Sequence, residues 1–206
     1  MNQSAYYGHE SQLFGVEEVR LQGGKGDGMR LLQVRNGRGL EFTVSADRCA
    51  DISRLIFRGE NCGFFSANGY VAPAYYDDKE DGWLKNFTAG FLTTCGLTYM
   101  GSYCTDEGKA LGQHGLISNV PANHVGSAVR CEGDTPSIQV SGQIKQAQVF
   151  GEHLVMSRVI RLDVERNVFT IEDEIENRGL TRTPYMILYH MNYGYPMLNE
   201  GCVVEA

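Results

Sequence analysis

Leu188-Tyr189-His190-Met191-Asn192-Tyr193-Gly194-Tyr195-Pro196 sets an imidazole in the middle of an apolar, aromatic run that closes on Gly and Pro. Read as a strand, it puts His190 and Asn192 on one face and Tyr189 and Tyr193 on the other. A polar pair on a face that would otherwise be core must be hydrogen-bonded or used. The rest of the chain has to supply either the partners or the use.

Upstream of this run the pattern is that of strands. Residues 15–22, 28–35, 39–45 and 52–58 read as a short antiparallel meander punctuated by Gly clusters, with hairpin chemistry at Asn36-Gly37 and Arg38-Gly39. Leu40, Phe42 and Val44 alternate with Glu41, Thr43 and Ser45, predicting one buried and one wet face. Longer strands are predicted at 137–150, 153–165 and 168–177, joined by two-residue turns at Gly151-Glu152 and Arg166-Asn167. In the last of these Glu172, Glu174 and Glu176 form a solvated face, and Asp173 falls in the inward set. No stretch has the 3.6-residue period of an amphipathic helix. The reading is all-β: a large, twisted antiparallel β-sandwich forming one domain over residues 1–206.

Between about residues 63 and 130 the periodicity is lost. This region carries Tyr70, Tyr75, Tyr76, Trp83, Phe87, Phe91, Tyr99 and Tyr103, with a charge cluster at Asp77-Asp78-Lys79-Glu80-Asp81. A loop this long inside a compact domain is expected to be functional, and its aromatic content argues against disorder. Aromatic rings offer apolar faces that match the C–H face of a pyranose. A packed excursion capping one end of a sheet is the plainer reading.

Composition narrows the function classes. The chain has 206 residues, 42% hydrophobic and 21% charged, with 25 Gly, 5 Pro and a formal charge of −7. That charge argues against nucleic acid or an anionic membrane surface as a partner. No run approaches the ~18 apolar residues of a membrane helix. The six cysteines show no C-x-x-C pair and no His at finger spacing, which predicts reduced thiols in the cytoplasm and no metal site.

Five histidines are available. His9 lies in a terminal segment, His153 at a hairpin turn and His124 in a loop, all positions that suit surface or structural roles. His114 is flanked by glycines in Leu111-Gly112-Gln113-His114-Gly115-Leu116, which lets backbone approach a ligand. His114 and His190 together leave open a metal pair, a nucleophile–base pair or acid/base work. No His-x-His with a following carboxylate and no Gly-x-Ser-x-Gly elbow accompanies them. Cys95 reads as a buried, inert thiol. Acid/base chemistry on a sugar is what remains, since imidazole can both give and take a proton near neutrality.

Four segments carry a family likeness: Asp47-Arg48-Cys49-Ala50-Asp51-Ile52, Gly90 to Leu97, Gly112-Gln113-His114-Gly115 with Ser118 to Ala122, and Leu188 to Pro196. With these the chain resembles the galactose mutarotase-like superfamily (aldose 1-epimerases), most closely a DUF4432-type branch. The resemblance implies a carbohydrate-binding β-sandwich and a monosaccharide substrate, with no cofactor. It implies that His190 protonates the ring oxygen of an aldose, that His114 holds the sugar near that oxygen, and that a late Glu takes the proton of the anomeric hydroxyl. Trp83 is expected as a stacking platform, and Asn192 as a further substrate contact.

Two departures from the family pattern shape the expectations. The arginine-rich segment that precedes the His-Gly motif in mutarotases corresponds to Gly90–Leu97, which has no arginine, so Arg48 is expected to take its place. The base Glu of the family lies beyond the position of Ala206, and Glu200 and Glu205 are poor replacements. The expectation is therefore an N-terminal portion of a longer member, binding sugar with little catalysis by itself and self-associating through uncovered sheet edges. A non-catalytic sugar-binding protein is the alternative to the epimerase.

Overall fold

A computed structural model describes residues 6–132 and 135–205. The meander is present as β1 (Gly15–Arg20), β2 (Arg30–Arg35), β3 (Leu40–Ser45), β4 (Asp51–Phe57) and the short β5 (Glu60–Asn61), in that spatial order. After β6 (Phe64–Phe65), the single-turn helix α1 (Trp83–Asn86) and β7 (Ala89–Gly90), the chain enters β8 (Leu92–Leu97). A small hairpin follows, β9 (Cys104–Asp106) with β10 (Lys109–Leu111). The second large sheet consists of β11 (Asn123–Glu132), β12 (Thr135–Ala147), β13 (His153–Asp163) and β14 (Phe169–Asn177), again in sequential order. Last comes β15 (Met186–Met191), which pairs antiparallel with β8.

The core follows from period-2 patterning. Leu32, Val34, Leu40, Phe42, Val44 and Ile52 of the meander share one cluster with Ile138, Val140, Ile144, Leu154, Met156, Ile160 and Leu162 of the second sheet. β8 adds Leu92 and Leu97 to it. The all-β sandwich reading is therefore the observed architecture. Among the described residues no helix is long and apolar enough to cross a membrane.

Three expectations change. Thr43 and Ser45 are buried rather than wet, because the aromatic loop covers that face: Tyr70 Oη lies 3.0 Å from Ser53 Oγ, which donates to the Thr43 carbonyl. The turns of the second sheet are wider than two residues. The first spans 148–152 and is closed by Gln148 N–H donating to the Glu152 carbonyl; the second spans 164–168 and is organised by Asp163, whose Oδ1 accepts from the backbone of Glu165 and Arg166. Finally, the 63–130 region is not all loop. Its residues 92–97 form a strand in which every residue is buried, so no wet face exists to give an alternating pattern.

Candidate functional site

The site is assembled on β8. On one edge, β8 pairs with β15, setting Thr93 opposite His190 and Thr94 opposite Tyr189. Near its C-terminal end, Gly96 N–H donates to the His114 carbonyl, and the Gly96 carbonyl accepts from Leu116 N–H. One strand thus fixes both histidines of the sequence reading. Their rings meet edge to face with centroids 5.7 Å apart.

His114 is held tightly. Its backbone has φ of +58°, its N–H donates to the Gly101 carbonyl, and its Nδ1 is 2.9 Å from the Met100 carbonyl. The next residue must be Gly, since φ is +72° there and a Cβ would collide with the carbonyls of Tyr99 and Gly96. His190 is half-buried, and its Nδ1 is buried without a hydrogen-bond partner among the described residues. Behind the pair stand two stacked rings, Trp83 and Phe87, 4.3 Å apart. Trp83 meets His114 at 4.5 Å and Phe87 meets His190 at 5.7 Å, both edge to face.

The other expected contacts have different surroundings. Trp83 is 2% exposed, covered by Phe87 and His114, and its indole N–H donates to Ser118 Oγ. It is the wall behind the imidazoles rather than an open stacking platform. Arg48 is 7% exposed; its Nε donates to the Ser118 carbonyl and its Nη1 to those of Val71 and Asn86. Those nitrogens brace the loops that carry Trp83 and are not brought to the histidine pair. Burial, only partly offset by Asp51, lowers the Arg48 pKa to about 10. Asn192 lies just past β15, and its Nδ2 donates to the His190 carbonyl while its backbone straps Phe64 to Phe91. It supports His190 from the chain side.

The opposite face of the β8–β15 pair carries a second polar cluster that the sequence reading did not assemble. Arg158 and Asp173 face each other in the β13–β14 register, in the middle of the inward apolar rows. All five guanidinium hydrogens are placed: Nε and Nη2 donate to Asp173, Nη1 to Asp51 and the Cys49 carbonyl, and Nη2 also to Thr94 Oγ1. Tyr189 Oη donates to the same Asp173 carboxylate at 2.9 Å. Burial would lower the Arg158 pKa, but hydrogen-bonded Asp173 and the charge of Asp51 raise it above the ordinary arginine value. Burial pushes Asp51 up, against the pull of Arg158. Cys49 and Ala50, with φ of +55° and +50°, are held in the left-handed region beside this cluster.

All six cysteines are free, and burial pushes the Cys95 thiol up to about 12, as an inert core thiol requires. Among the described residues no group of three or more His, Cys, Asp or Glu could hold a metal ion.

Residues 26–206 match the family described as a domain of unknown function, DUF4432. The chain belongs to that family. Its fold is galactose mutarotase-like: over 93% of its length it superposes on a provisionally assigned aldose 1-epimerase from Klebsiella pneumoniae subsp. pneumoniae MGH 78578, with a TM-score of 0.82 and 27% identity. That alignment covers 52% of the Klebsiella chain. A galactose 1-epimerase from Lactobacillus acidophilus NCFM aligns over 74% of this chain and 46% of its own, at 14% identity and a TM-score of 0.42, too low to add to the fold. The DUF4432 chain therefore spans about half the length of these solved structures. No curated protein sequence matches it significantly.

Proposed function

We propose that the His114–His190 site binds a monosaccharide and belongs to an aldose 1-epimerase-type centre, in which ring opening and reclosure interconvert the two anomers. The observation that carries this reading is the convergence of two imidazoles from distant segments, 5.7 Å apart against an aromatic wall. Anomer exchange needs one proton delivered to the ring oxygen and one removed from the anomeric hydroxyl, and no cofactor. His190 is the general acid in this reading. His114 contacts the sugar beside it, Asn192 holds the acid strand, and Trp83 and Arg48 shape the wall. The likeness to the Klebsiella protein supports a sugar as the ligand. The free thiols suit a cytoplasmic setting, and the open edge of β15 suits self-association.

A second reading, a sugar-binding protein without catalysis, is favoured by one observation. Among the described residues no carboxylate is hydrogen-bonded to either imidazole of the pair. Anomer equilibration of an aldose panel, followed by NMR, separates the two. Acceleration that disappears in His190→Ala supports the epimerase. Saturable binding without acceleration supports the sugar-binding protein, and neither effect at any concentration sinks both.

A further inference from the structure

A cleft of about 660 Å3 lies between the β9–β10 hairpin, the 148–152 turn and the loop that leads into β15, a size that suits a small-molecule site. Part of its lining is held from the core. Gln146 occupies the inward row of β12 with Val140 and Ile144 and is 3% exposed. Burying an amide among apolar neighbours is costly unless its hydrogen bonds are made. Its Oε1 accepts from Leu97 N–H, which fixes the orientation of the amide, and its Nε2 donates to Thr98 Oγ1 at 3.1 Å and to Glu152 Oε1 at 3.4 Å. Both of those side chains line the cleft. Neither has a further partner among the described residues, so Thr98 keeps its hydroxyl hydrogen and Glu152 keeps acceptor lone pairs. Charges of both signs, Lys109 and Arg182 against Asp106 and Glu107, complete the walls. That mixture suits a neutral polyhydroxy group better than an ion.

The cleft adjoins the histidine pair along β15. Met186 lines the cleft and shares one face of the strand with Leu188 and His190, and both Met186 and Leu188 are exposed. Four residues of strand set the two ends about 13 Å apart. On the neighbouring segment Tyr99 lines the cleft, and the carbonyl of the next residue, Met100, lies 2.9 Å from His114 Nδ1. We propose that the cleft is a second subsite, which takes a further sugar residue carried by the sugar at His114 and His190; this rests on the sugar-binding reading above. One pyranose at the pair cannot also reach Thr98 and Glu152. A ligand that engages both places is a reducing di- or trisaccharide, with its reducing-end ring at the imidazoles and the remainder in the cleft.

The test uses the full 206-residue chain with a panel of aldohexoses and, for each, reducing di- and trisaccharides that end in it. At least one longer sugar is expected to bind about tenfold more tightly than its parent aldohexose. The backbone amides of Thr98 and Glu152 should shift with that sugar and stay still with the aldohexose. Thr105→Trp fills the cleft from an exposed position on β9, and Thr181→Trp does so from the loop side, so a folding failure in one leaves the other. In both variants the aldohexose and the longer sugars are expected to bind alike. Equal affinity of the aldohexoses and all longer sugars for the unmodified chain overturns the proposal and leaves the sugar site standing. A gain that survives both fillings overturns it too. If no sugar of any length binds, the histidine site falls together with the subsite.

Discussion

The two faces of the β8–β15 pair hold polar clusters of opposite character. On the face toward the second sheet, Arg158 satisfies every guanidinium hydrogen on Asp51, Asp173, Thr94 and the Cys49 carbonyl. On the other face, among the described residues, His190 Nδ1 is buried with no partner and His114 Nε2 has none either. Tyr189 and His190 are chain neighbours, yet one is locked into the first cluster and the other lines the second. A saturated buried network fixes geometry, because any movement breaks several charge-assisted bonds at once. An unsaturated pair keeps donor and acceptor capacity for something else. The first face holds the strand so that the second can present its imidazole, since a one-residue slip of β15 would turn His190 to the core.

Breaking the saturated face should have the largest effect. Arg158→Ala leaves Asp51 and Asp173 buried without their counter-charge, and an expected loss of about 3–5 kcal/mol would be read from denaturant midpoints. A cost below about 1 kcal/mol would mean that the network contributes little to holding β8 and β15. Tyr189→Phe removes a single donor from Asp173, which keeps both bonds to Arg158. A loss of about 1 kcal/mol is expected, together with a chemical-shift change at His190 on the far side of the strand. An unmoved His190 signal would separate the two faces.

The unsaturated face should respond least. His190→Leu replaces a ring bearing an orphaned nitrogen with an apolar side chain, so stability is expected to stay within about 0.5 kcal/mol, while sugar binding weakens. A loss as large as that of Arg158→Ala would show that His190 has a structural role instead. An orphaned nitrogen alone does not mark the site, because among the described residues His153 Nε2 is buried and unpaired too. What sets His190 apart is a second imidazole at 5.7 Å.

Much of this was legible in the sequence. Alternation in residues 168–177 announced the second sheet and placed Asp173 inward with Glu172, Glu174 and Glu176 outside, whereas the alternation in residues 40–45 announced a strand but not its burial on both faces. The glycines around His114 announced a close backbone approach, and Gly115 proves to need one. Other features were hidden for physical reasons. β8 is buried on all sides, so it shows no period to distinguish it from its irregular flanks. Arg158 occupies the inward row between Met156 and Ile160, but only the tertiary fold reveals that Asp51, from another sheet, reaches it. Trp83 and Arg48 carried the right chemistry for a sugar contact. Their burial, which composition cannot foretell, turns one into a wall and the other into a brace.

The central claim is that His114 and His190 form one ligand site. Titration of the 206-residue chain with an aldose panel, observed through the imidazole 15N resonances, tests it most directly. The account predicts that His114 and His190 shift together along one saturable curve while His9, His124 and His153 stay still. Shifts confined to one member of the pair, or silence in both at saturating sugar, would contradict it.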